Sequence, residues 1–167
     1  MKNAIIQYYV EGEDEKKLVE VLKNEHLIKP GKVQVFNAIS SRVKDARLMT
    51  IKPNTVVVLI FDTDVEELDV LNENIKRFTS CSNVSKVIII PQIKNLEDEL
   101  VRSCNIRNVT ELLGSVGLSK FKSDFIREKN LMKKMNEKGF NMGKLWSMAP
   151  QGVFTQLENG SGEIKEG

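Results

Sequence analysis

Residues 55–64 read TVVVLIFDTD: seven residues that are apolar or β-branched throughout, then two aspartates separated by one threonine. A short run this rich in valine, leucine and isoleucine is the pattern of a strand buried on both faces, as strands are in a parallel sheet covered by helices. Residues 4–10 (AIIQYYV) repeat the pattern and also end in an acid, Glu11, followed by Gly12. Two further strands are expected at residues 33–36 and at residues 86–90 (KVIII), the latter closed by Pro91.

Helical patterns fill the gaps. Residues 13–24 place Leu18, Val19, Val21 and Leu22 at helical spacing, with acids in the first turn where the helix dipole favours them. Residues 40–50 carry a weaker apolar face of Val43, Ala46 and Leu48, and residues 65–78 and 96–102 are expected to be helical too. The alternation β-α-β-α-β-α-β-α over residues 1–102 predicts an α/β fold, a four-stranded parallel sheet flanked by helices and joined by right-handed crossovers. Beyond residue 105 no strand is expected. Residues 109–116, 119–137 and 140–148 read as helices, and residues 158–167 (ENGSGEIKEG) have the composition of a disordered tail. The expected division is an α/β domain over residues 1–104, a helical C-terminal extension over 105–157 packed on it, and the tail.

With 167 residues, 41% of them hydrophobic, the chain can bury a real core. Its 25 basic and 23 acidic side chains nearly cancel, so the distribution of charge matters more than the total. Acids gather at residues 11–15, 62–69 and 97–99, and bases at 120–138. Cys81 and Cys104 form no Cys-x-x-Cys pair, and the single histidine, His26, is distant from both, which argues against zinc. No apolar run approaches the roughly 20 residues that cross a bilayer. Two lone thiols, and a start that enters a strand at once with no leader, give the expectation of a reduced, cytoplasmic protein.

In open parallel sheets, ligands bind beyond the carboxyl ends of the strands. Glu11, Asp62 and Asp64 all fall there. Hard cations such as Mg²⁺ or Mn²⁺ take oxygen ligands, commonly one or two carboxylates completed by water and phosphate oxygens. The trio is therefore the candidate metal site. Asp64 also has the alternative of capping a helix that starts at Val65. Glu97, soon after the fourth strand, can face the same crevice or simply occupy the acidic first turn of a helix.

Val10-Glu11-Gly12 at the end of a first strand, followed by a helix and then by Phe61-Asp62-Thr63-Asp64 after an apolar strand, resembles the Toprim domain. This metal-binding domain is shared by topoisomerases, bacterial primases, small ribonucleases and the overcoming-lysogenization-defect nucleases. The resemblance covers roughly residues 4–100. It implies a compact four-stranded parallel sheet, Glu11 as ligand or general acid/base, and Asp62 and Asp64 as Mg²⁺ ligands. Many such domains carry a glycine shortly after the Asp-x-Asp, where this chain has Val65-Glu66-Glu67. That departure and the Glu11-Gly12-x-x-Glu15 spacing look more similar to the nuclease branches and to small Toprim-like proteins of phage defence and mobile elements. Glu15 then becomes a candidate ligand for a second ion, or a solvent-facing acid of a first helical turn.

A topoisomerase requires a nucleophilic tyrosine and gating domains, but Tyr8 and Tyr9 lie inside the first strand. A primase needs an initiation apparatus for which the chain has no room. A metal-dependent nuclease or phosphodiesterase needs less. Residues 120–138 interleave Phe121 and Phe125 with seven lysines and arginines. These either track a nucleic-acid backbone or are solvated on an amphipathic helix, with Lys120 and Lys122, nearest its start, the candidates for a catalytic role at phosphate. Trp146 is expected to anchor the core. Two other functions fit the same residues: a nucleotidyl-transferring enzyme using the same metal site, and a non-catalytic effector partnering an ATPase.

Overall fold

The computed structural model describes residues 3–167. Strand β1 (Ile5–Val10) leads through helix α1 (Glu13–Asn24) to β2 (Lys32–Val35). A loop and the single-turn α2 (Asp45–Leu48) return the chain to β3 (Thr55–Asp62), and α3 (Asp69–Ser80) links it to β4 (Val84–Gln92). Helices α4 (Leu96–Ser103), α5 (Leu118–Arg127) and α6 (Leu131–Glu137) follow, with 3-10 turns at Val109–Leu112, Gly152–Phe154 and Ser161–Glu163.

The protein is thus α/β, with one four-stranded, all-parallel sheet in the order β2-β1-β3-β4, flanked by helices. The order follows from the crossovers. Helix α1 carries the chain from β1 outward on one face, and α3 carries it from β3 outward on the other. Right-handed connections heading in opposite directions must use opposite faces. The strand order therefore reverses between β1 and β3, and the crevice where such sheets bind ligands opens between their carboxyl ends. Glu11 and Asp62 stand there.

Alternation along each strand divides the interior into two cores. Ile6, Tyr8, Val10, Val56, Val58, Ile60, Ile88 and Ile90 pack under α1, α4 and the C-terminal helices, while Tyr9, Val57, Leu59 and Phe61 pack with Phe36, Leu71 and Phe78 on the α3 side. Thr55–Phe61 is buried at every position, as its unbroken apolar run predicts. Each large apolar side chain buried in this way stabilises the fold by about 1.5–3 kcal/mol. The basic segment joins this core through Phe121, Phe125, Leu131 and Met135, and Trp146 is buried beside them.

Several elements differ from the sequence-based expectation. Of residues 40–50, only Asp45–Leu48 is helical. Asn74, fully buried on α3, accepts the Val43 N–H at 2.7 Å and donates to the Ala38 and Ser41 carbonyls, so the preceding residues stay in a loop moulded to α3. Helix α3 begins at Asp69 rather than Val65, because the Thr63 N–H and hydroxyl bond the carbonyls of Gln92 and Lys94 and hold the chain beside β4. Strand β4 runs through Pro91 to Gln92; as an edge strand it tolerates the missing donor. Of residues 109–116 only Val109–Leu112 is helical, as a 3-10 turn with a capping box between Asn108 and Glu111, and the expected helix over 119–137 is two helices broken at residues 128–130. Residues 140–148 are turns.

The tail, expected to be disordered, is held against the sheet. Ile164 is fully buried, Gly160 N–H bonds Ile89 at 2.9 Å, and Lys165 bridges Ile28. A Cβ on Gly160 would lie 2.5 Å from Ile88. Glycine here permits close packing, which composition alone reads as flexibility.

Candidate metal centre

Strand β1 releases Glu11 at its carboxyl end, half-buried, and one oxygen of its side chain accepts the backbone N–H of Asp62 at 2.8 Å. The bond spans the crevice just beyond the last β1–β3 pair, Val10 with Ile60. Asp62 ends β3 opposite Gln92 of β4. Gln92 is fully buried; its side-chain amide donates to Asp62 Oδ1 at 2.7 Å, and its amide oxygen accepts from Trp146 Nε1 at 3.1 Å. The relay Trp146–Gln92–Asp62 fixes the carboxylate from behind and leaves its other oxygen toward the crevice.

Helix α1 brings Asp14 and Glu15 to the same place. A Cβ on Gly12 would lie 3.1 Å from Asp14 Oδ1 and from Glu15 Oε2, so the missing side chain makes room for both carboxylates. Glu15 is only 5% exposed. From the opposite rim, Lys122 of α5 reaches Glu97 of α4 at 3.4 Å.

The electrostatics are those of acids lacking a counter-charge. Asp62 is pushed up to about 8, first by burial and then by repulsion from Glu11, with Asp64 and Glu97 adding to it and the Gln92 hydrogen bond opposing. Glu15 is raised by burial and by Asp14 and Asp62, and Glu11 is raised by burial and by Asp64 and Asp14 against the pull of the Asp62 N–H and Lys122. Lys122 shows the complement: burial lowers its pKa, but Glu97, Asp14 and Glu15 overcome this and raise it.

Glu11, Glu15 and Asp62 therefore form one acidic cluster: the Asp62 N–H bonds Glu11, the Asp62 charge acts on Glu15, and Glu97 and Lys122 lie close enough to act on its members. Asp64 is exposed and acts on Glu11 and Asp62 through its charge; since α3 starts at Asp69 with Leu68 before it, Asp64 caps no helix. Lys120 reaches Asp124 on its own helix at 3.5 Å, away from this group. Asp14 and Gln92 were not among the expected site residues; Trp146 lies in the core as expected, and its hydrogen bond to Gln92 is what the sequence did not announce. A polar residue just after Pro91, at the end of an apolar strand, is the one signal for Gln92.

The donor set is entirely oxygen, and burial with the carboxylates of Asp14 and Asp62 dominates the surroundings of Glu15, so the residues fit a hard divalent ion such as Mg²⁺. Among the described residues, no three His, Cys, Asp or Glu side chains are grouped closely enough to hold a metal ion by themselves. An ion here would rest on one or two carboxylates, with water and substrate oxygens completing the sphere, which is how Mg²⁺ is usually held. Among the described residues no helix is long and apolar enough to cross a membrane. Comparison with protein-family models, curated proteins and solved structures finds no match for this chain.

Proposed function

We propose that the protein is a metal-dependent nuclease of the Toprim type, a phosphodiesterase that uses Mg²⁺ or Mn²⁺ on nucleic acid. The observation that carries this reading is the meeting of Glu11, Glu15 and Asp62 at the point where the strand order reverses, with too little positive charge around them. Asp62 would be the principal ligand, Glu11 a ligand or the proton acceptor, and Asp64, Glu15 and Glu97 would complete or extend the set. A divalent ion bound there supplies Lewis acidity at the phosphoryl oxygens.

The chain's own groups do the rest. In the second of its roles Glu11, held at the Asp62 N–H, accepts a proton from the attacking water. Lys122 keeps its positive charge beside Glu97 and faces the charge that develops on the leaving oxygen. Gln92, held by Trp146, keeps Asp62 in one rotamer. The test is incubation of the purified protein with single- and double-stranded DNA and RNA in Mg²⁺ or Mn²⁺. Cleavage by the wild type that is lost in Asp62→Asn supports the reading. Intact substrates, alongside a control nuclease that cuts them, contradict it.

A further inference from the structure

A cleft in the surface lies next to the acidic cluster and shares with it Glu11. It opens between the end of β2 and the loop leading into α2, with a volume of about 710 Å³. Clefts of roughly 300–1,000 Å³ accept ligands the size of a nucleotide or two. Its charged lining is Arg42, Lys44 and Arg47 against the single carboxylate of Glu11. Asp45, the acid nearest in sequence, is tied to Arg77 and offsets little of that charge.

The three cations are presented differently. The Arg47 guanidinium lies over two aromatic rings, 4.9 Å from the centre of Phe36 and 5.4 Å from that of Tyr9. Stacking fixes its plane, so little ordering remains to be done when it meets an anion. Arg42 is held by Glu73 at 2.7 Å in a pair exposed on both sides, 65% and 44%. Exposed pairs contribute at most about 1 kcal/mol, so a phosphate can displace Glu73. Lys44 is exposed and makes no ion pair among the described residues. On the basic helices, Lys120 and Lys122 have carboxylate neighbours in Asp124 and Glu97, and Lys133 and Lys134 of α6, which make no ion pair among the described residues, are the control surface.

We infer that this cleft is the track on which a single-stranded nucleic acid lies, its phosphates on Arg42, Lys44 and Arg47, and that it delivers the next phosphodiester over Glu11 to the acidic pocket. The inference rests on the reading of that pocket as one that acts on phosphodiesters. It assigns strand binding to the β2–α2 side of the molecule rather than to the basic helices α5 and α6.

The experiment measures binding without cleavage. Fluorescence anisotropy with a labelled 12-nucleotide oligo-dT, in EDTA and at low salt, compares the wild type with Arg42→Glu/Lys44→Glu and with the control Lys133→Glu/Lys134→Glu. Arg47→Lys, which keeps the charge but loses the stacked plane, is a further variant. The charge reversal in the cleft is expected to weaken binding at least tenfold, Arg47→Lys about threefold, and the α6 control less than twofold. Equimolar thymidine monophosphate is expected not to compete. Affinity unchanged by Arg42→Glu/Lys44→Glu, an equal loss in the α6 control, no binding by the wild type, or displacement by the mononucleotide overturns the strand track. Manganese titration followed by electron paramagnetic resonance, on the same proteins, reads the acidic pocket separately. Mn²⁺ binding retained in Arg42→Glu/Lys44→Glu shows that the two sites fail or succeed independently.

Discussion

Two glutamates, Glu15 and Glu99, are buried within one small protein, and their surroundings differ in one respect. Glu99 on α4 is wholly buried and accepts a hydrogen bond from Arg102, one turn along the same helix, at 2.8 Å. Burial raises its pKa, and Arg102 with the backbone of Ile93 and Trp146 pulls it back. Glu15 on α1 is buried almost as well, but its close neighbours are Asp14 and Asp62. A charge removed from water must be paired, bound to a metal or neutralised by protonation. The fold supplies the partner for Glu99 and withholds it for Glu15. The first site carries its own cation, though Glu99 Oε2 and Arg102 Nε find no hydrogen-bond partner; the second is arranged for a cation from outside.

The comparison yields substitutions of opposite sign. The largest effect is expected from Asp62→Asn, which keeps the oxygen that Gln92 bonds but replaces a carboxyl group that burial and the Glu11 charge push up to about 8. Metal-dependent cleavage should fall by roughly a thousandfold, as expected when a principal site group is lost. The metal-free melting temperature should rise, by about 3 °C for each kcal/mol of repulsion relieved. Calorimetry alongside the cleavage assay checks both.

At the other glutamate the sign reverses. Arg102→Ala leaves Glu99 buried without its cation and should destabilise by about 3 kcal/mol, measured by urea unfolding. A gain in stability there, or a loss of similar size in Asp62→Asn, would erase the distinction between the two sites.

Smaller effects probe the support behind Asp62. Gln92→Leu strands Asp62 Oδ1 and the Trp146 indole N–H, and should cost about 2 kcal/mol of stability. It should also weaken Mn²⁺ binding by about tenfold, read by isothermal titration. The smallest difference separates two lysines on one helix. Lys122→Ala should reduce turnover by about tenfold, whereas Lys120→Ala, which loses only an exposed pair with Asp124, should stay within about twofold.

What the sequence made legible is the part set by local chemistry. The run at residues 55–61 and its aspartates announced a buried parallel strand ending in acid, and residues 4–11 announced its partner, because burial on both faces demands unbroken apolar character. The parallel sheet and its flanking helices follow from that alternation; the strand order does not. Less legible were features made by residues far apart in the chain. Asn74 shapes residues 38–43 from 31 or more positions away, and Gln92 reaches Asp62 across 30. No periodicity encodes such contacts. The tail misled for a related reason: Gly160 and Ser161 are small because they lie against β4 and Trp146, and a compositional reading registers only that they are small.

The acids of the pocket were visible one at a time, but their shortage of positive charge appears only once α1, β3 and α5 are assembled. That shortage is the central claim, and thermal unfolding of the wild type and of Asp62→Asn, each with and without Mn²⁺, tests it most directly. A ligand at a hundred times its dissociation constant stabilises by about 2.7 kcal/mol. The wild type should gain that increment with Mn²⁺, while Asp62→Asn should start higher and gain almost nothing. Equal gains in both proteins, or none in the wild type, would contradict a cation site built on Asp62.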